Sequence, residues 1–356
     1  MNEYDINDMR KENEFLGITF SKFKMSDVKK ELIKDVLGND IEGALYWSGE
    51  LICSGHFKEL WEIILSVIGK NIHLGNIKLP IYIQMKIGLF KEILLNGYID
   101  NEIKMRNNVK IRELFSEIIT ILTLSNKKNS LERVKINKKE FDITNFGGRL
   151  KADHINYAKN IFLKEDPKEL LIAINEFCYS IDSKVCNMLN ACYWIEWILE
   201  FEHICKLKKE RCKCERRVFA PVDSKLQMEL IWIIWDIFIT ESNNHSKFIQ
   251  KVVLCSLNLF SLKYTIGCNR KRKQILYFIV GLLTQPILLD EEIIKDKNKI
   301  TLIIQSINKI YKQIKKGEHS PGTDYLYTNV NGSNLEKTIA KLEQMNSLGE
   351  EYIPRI

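Results

Sequence analysis

The sequence predicts an all-α protein, and three observations lead there. Apolar residues recur at helical spacing, as in 109–124, where Ile111, Leu114, Phe115, Ile118, Ile119 and Leu122 share one face. The 356 residues hold only 17 glycines and 6 prolines, too few to turn a repeated β-architecture of this length. Capping and stop residues bracket most of the apolar runs. The helices group into two bundle-like halves, 26–124 and 166–356, after a loosely held N-terminus at 1–25. A basic linker at 125–165 joins them, and its alternating stretch VKINKKEFDI at 134–143, followed by Gly147-Gly148, has the pattern of a short β-hairpin.

Ser26-Asp27 open the first helix, which stops near Gly38. The densest patterning lies between Glu42 and Asn76 and reads as a helical hairpin. One apolar helix carries Ala44-Leu45-Tyr46-Trp47 and stops at Gly55. The second runs from Phe57 to Ile68, and His73-Leu74-Gly75-Asn76 closes it. Pro80 sits at a first helical position, and Asn96-Gly97 ends that helix after Leu95. Asn107-Asn108 precedes the helix at 109–124. Asp166-Pro167 restarts helical structure as a cap followed by proline. Helices are expected at 167–180, 184–209, 223–241 (capped by Asp223), 245–263, 270–284, 290–316 and 333–347. Ser333 and Glu336 form a capping box for the last. Ala191-Cys192-Tyr193-Trp194 echoes the 44–47 stretch, each with a glutamate soon after, Glu196 and Glu50. Paired halves and chance recurrence explain the echo equally well.

Composition is that of a globular chain, 45% hydrophobic and 28% charged. The abundance of Ile, Lys and Asn reads as AT-rich coding. A net charge of +7 permits nucleic acid or acidic partners without requiring them. The nine cysteines are an odd number, several lie in apolar helical runs, and the N-terminus is polar rather than a secretory signal. A reducing intracellular compartment is expected, not a disulfide framework. The most apolar runs, 228–239 and 275–289, are shorter than the roughly 18–20 residues a membrane span needs, so core helices are expected and no membrane partner.

No phosphate-cradling glycine loop, His-Glu-x-x-His or Gly-x-Ser-x-Gly motif occurs, and no catalytic residue is assigned. The segment 203–217 (HICKLKKERCKCERR) holds the chemistry that stands out. His203, Cys205, Cys212 and Cys214 are candidate zinc ligands, although their spacing is not that of two close pairs. The alternative is free, reduced thiols in a helix end and a basic loop. The flanking cations are expected to depress the Cys212 and Cys214 thiols. Zinc is thus the one cofactor in view.

The same segment supplies Lys206, Lys208, Lys209, Arg211, Lys213, Arg216 and Arg217 as nucleic-acid contacts. A second run, Arg270, Lys271, Arg272 and Lys273, opens a helix, where positive charge opposes the macrodipole and phosphate contact would explain it. A solubilising surface is the competing reading. A third run, Lys127 to Lys139, reads as solvated linker. Tyr46, Trp47 and Trp61 are expected as core or interface anchors.

ALYW at 44–47, Gly55, and IHLGN at 72–76 before a proline-led helix resemble the C-terminal oligomerisation domain of the RarA/MgsA clamp-loader-like ATPases. The segment 117–130 (EIITILTLSNKKNS) is similar to the helix that follows in that family. The resemblance covers 42–130. The family's ATPase module is missing, and Asn71, Ile72 and His73 stand where its acidic turn residues would be. The resemblance implies a helical collar-like module for self-assembly or for docking on replication machinery. The whole chain also resembles all-helical proteins of giant DNA viruses, which implies a host cytoplasm, viral factory or nucleus. The function expected is a non-enzymatic accessory or scaffold protein of viral DNA replication or repair, a homo-oligomer with nucleic acid and other replication or virion proteins as partners. The alternatives are a structural or virion-associated interaction protein, and an enzyme with an unrecognised site.

Overall fold

Local chemistry sets where the helices begin and end. The structure, a computed structural model, describes residues 3–99, 101–141, 148–210, 212–287, 289, 292–294, 296–319, 338–339 and 341–343. It is all-α: among the described residues there is no strand, and one isolated bridge joins Ile18 and Lys24. Helix α1 (Met25–Gly38) ends on Asn39 in the left-handed conformation, and Asp40 caps α2 (Ile41–Cys53) by accepting from the Gly43 N–H. Gly55, at φ +79°, makes the predicted stop before α3 (Phe57–Val67). Helix α3 continues into a π-helical turn, Ile68–Ile72, and the expected closing turn follows it as a 3-10 turn, His73–Gly75. Helix α4 (Leu79–Leu95) has its proline in the first turn, and Asn108 caps α5 (Val109–Leu124).

In the second half, α6 (Leu171–Ile181), α7 (Met188–Lys208), α8 (Ile231–Ser242), α9 (Lys247–Phe260), the short α10 (Cys268–Lys271), α11 (Lys273–Thr284) and α12 (Lys297–Lys315) fall close to the expected places. Four starts are shifted, and α7 begins at Met188 rather than 184. Asp166 does not cap α6; its carboxylate accepts from the Leu163 and Glu215 N–H groups and pairs with Arg217. Asp223 caps only a 3-10 turn, Ser224–Leu226, and α8 begins later. Helix α12 starts at Lys297, capped by Asp296. The capping box of Ser333 and Glu336 lies outside the described residues.

The buried apolar residues form one cluster that draws on both halves. Helix α12 packs on α2 and α5, α4 packs on α9, and α11 packs on the π-helical turn. That last approach is close: a Cβ on Gly69 would meet the Gln274 backbone at 2.9 Å. The N-terminal segment, expected to be loose, is pinned instead. Phe15 and Phe20 are buried, and Thr19 and Ser21 donate to the buried Glu50 carboxylate. The stretch 134–143 forms no hairpin among the described residues. Residues 138–141 are a 3-10 turn, 142–143 lie outside the described residues, and Val134, Ile136 and Phe141 lean on the core. The linker is thereby stitched to the body: Ser130 N–H donates to Lys70 O, and Lys127 donates to carbonyls at the end of α5, including Leu122 O at 3.0 Å. Among the described residues no helix is long and apolar enough to cross a membrane.

Candidate nucleic-acid interface

Helix α7 carries Glu196, Leu199, Glu200, His203 and Lys206 at helical spacing, so they share one face. Opposite them stand Ile266, Asn269, Arg270 and Lys273 of α10 and the start of α11, spaced by three and four in the same way. With Arg133 from the connecting segment they enclose a cleft of about 330 Å³. Lys206, Arg133, and Arg270 with Lys273, drawn from the three basic runs of the sequence, therefore meet at one place. Arg270 Nη2 lies 3.4 Å from His203 Nδ1 across it.

The floor is a set of buried carboxylates with assigned partners. Glu196, 3% exposed, lies within ion-pair distance of Lys273 and of Arg133 Nε at 3.4 Å, and accepts from Tyr277 Oη at 2.7 Å. Burial pulls the Lys273 ammonium below its ordinary value, and Glu196 offsets part of that. Glu202 and Glu229 form a buried hydrogen-bonded carboxyl pair. Burial, then the hydrogen bond with Glu202 and its charge, raise the Glu229 carboxyl above its ordinary value. Lys206 bridges the pair, at 2.8 Å from Glu202 and 3.6 Å from Glu229, with Lys213 at 3.9 Å from Glu229.

The expected contacts divide into two groups. Arg217 is 3% exposed and is a structural ion: Nη2 lies 2.6 Å from Asp166, Nε lies 2.8 Å from Asp236, and Nη2 donates to Ile161 O. Arg272 is buried, paired with Glu62 through Nε at 3.2 Å and donating to Phe260 O and Leu262 O at the end of α9. Lys273 is buried against Glu196. None of these three presents its charge to a phosphate. The helix-dipole argument changes with them. Arg270 and Lys271 occupy the last turn of α10, where cations are favoured. Arg272 and Lys273 stand at the start of α11 with their charge matched by Glu62 and Glu196.

Lys206, Lys208, Lys209, Lys213, Arg216, Arg270 and Lys271 are exposed. Arg216 donates to Gln227 Oε1 at 2.6 Å. Lys208, Lys209, Arg270 and Lys271 have no carboxylate partner within ion-pair distance among the described residues. Arg211 lies outside the described residues.

Comparison with protein-family models, curated proteins and solved structures found no match to this chain. The resemblance of 42–130 to the clamp-loader collar therefore rests on its short motifs alone.

The thiols differ from expectation. Among the described residues no three His, Cys, Asp or Glu side chains are grouped to hold a metal. Cys205 and Cys212 lie together, while Cys214 Sγ donates to Glu229 O and His203 faces Arg270. Burial pushes the Cys214 thiol up to about 12 and raises Cys212 as well, so desolvation outweighs the flanking cations. Of the aromatic anchors, Trp61 is core, 5.1 Å from Phe115 and 5.6 Å from Phe90 between ring centroids. Tyr46 and Trp47 are half-buried, and Trp47 meets Phe23 edge-on.

Sequence reasoning did not assign Arg133, Glu202, Glu229 or Asn269 to the site. The signal available was the acid inside an apolar run. A glutamate such as Glu196 or Glu229 is buried only when paired, so each marks a cation brought to it from elsewhere in the chain.

Proposed function

We propose that the protein is a non-enzymatic helical scaffold that binds nucleic acid at the rim of the α7–α10 cleft. One observation supports this reading: Arg133, Lys206 and Arg270, from three separately encoded basic runs, line one cleft. Arg270 supplies a phosphate contact from the cleft wall, Lys208 and Lys209 supply more from the exposed end of α7, and the carboxylates of the floor fix the geometry beneath Arg270. Self-assembly through 42–130 or docking on replication machinery is what the collar resemblance implies, and the viral setting is what the resemblance to giant DNA virus proteins implies. The test is binding of a labelled oligonucleotide by wild type and by K208E/K209E/R270E. The variant, altered only at exposed side chains, is expected to keep its helix content and melting temperature and to lose more than about tenfold in affinity. Unchanged affinity in the folded variant would overturn the reading.

A further inference from the structure

A second concavity lies away from the cleft, along one face of α4. Gln84, Ile87, Lys91 and Leu94 recur at helical spacing on that face and line two adjoining cavities, of about 420 Å³ and about 60 Å³. The two share Ile87, Lys91, Leu262 and Lys263 and so form a single groove. Its smaller end is apolar, walled by Phe57, Trp61 and Phe90. Its larger end is polar, at the C-terminal end of α9.

The polar end is built for a ligand head. Ser261 is 7% exposed, and its Oγ has no hydrogen-bond partner; Gln84 Oε1 is likewise buried without one. A buried hydroxyl left unpaired is costly, and a ligand acceptor would satisfy it. The Gln84 amide, turned over, presents its NH2 to the same place. Lys91 has no carboxylate within ion-pair distance among the described residues, while Lys263 makes a long ion pair with Glu102 at 3.8 Å. Lys263 also holds a left-handed backbone, φ +43°, which non-glycine residues adopt at a cost. The remaining acid of the groove, Glu62, is already engaged by Arg272. The free charge of the groove is therefore positive.

We propose that this groove binds an amphiphilic anion, with a carboxylate or phosphate head at Lys91, Lys263 and Ser261 and a short aliphatic arm in the aromatic-walled end. Calorimetric titration of the full chain with hexanoate tests it, beside butyl phosphate, hexanamide and acetate. Hexanoate and butyl phosphate are expected to bind, the better of them showing which head the site prefers. Hexanamide, which lacks the charge, and acetate, which lacks the arm, should each bind about tenfold more weakly or worse. K91M/K263M, at two exposed side chains, should lose about tenfold for hexanoate with an unchanged melting temperature, and S261A should lose several-fold. Hexanamide binding as tightly as hexanoate, equal binding by K91M/K263M, or no heat from either anion at millimolar concentration would each overturn the proposal.

Discussion

Glu229 shows how burial decides what a charged residue does. Its carboxyl is raised by burial and by Glu202, so the folded state favours the protonated form. A raised acid contributes stability that is fully present below its unfolded value of 4.5 and is lost as pH rises through the folded value. Glu229→Gln keeps a donor to Glu202 and cannot ionise. Its stability relative to wild type, from urea unfolding, is therefore expected to improve as pH rises from 4.5 to the raised folded value of Glu229, and to level off above it. A gap independent of pH would contradict the shared-proton account. Arg217 makes the opposite point. Nothing in the sequence separates it from Lys208, because a cation's role depends on which carboxylates the fold brings to it. With Asp166 and Asp236 as partners, Arg217→Ala leaves the buried Asp166 and the half-buried Asp236 without their cation and should cost about 3–5 kcal/mol in unfolding free energy. A neutral effect would show that the triad is not structural.

Elements were legible where helical periodicity and caps agreed, as in α1 to α5. Boundaries moved where a side chain found a better use: Asp166 serves Arg217 rather than α6. The alternating stretch 134–143 misled because its apolar positions pack individually on the core without a partner strand. The π-helical turn at Ile68–Ile72 had no sequence signal, since a period of helical apolar residues runs straight into it. Its reason lies in the contact with α11. Gly69→Ala places a Cβ 2.9 Å from the Gln274 carbonyl carbon and 3.0 Å from Ile275 N, both backbone atoms. About 1–3 kcal/mol of destabilisation is expected by thermal or chemical unfolding. An unchanged midpoint would mean the two elements do not meet so closely. The echo of Ala44–Trp47 in Ala191–Trp194 does not extend to the glutamates. Glu50 follows Trp47 by three positions and Glu196 follows Trp194 by two, so each is buried in its own register.

At the scale of the molecule, the halves divided by composition share one hydrophobic cluster, and α12 returns to pack on α2 and α5. The sequence could not show this, because amphipathic helices state that they bury a face and not against what. It could show three basic runs, and the fold brings Arg133, Lys206 and Arg270 from them to the α7–α10 cleft while removing Arg217, Arg272 and Lys273 from the surface. Whether the remaining rim binds phosphate is the central claim. The most direct measurement is the dependence of oligonucleotide affinity on salt, for wild type and for K208E/K209E/R270E. Each phosphate contact releases condensed counterions, so log affinity should fall linearly with log salt, and the slope should flatten by about one for each contact removed. A wild-type affinity that does not change with salt, or an identical slope in the variant, would contradict the account.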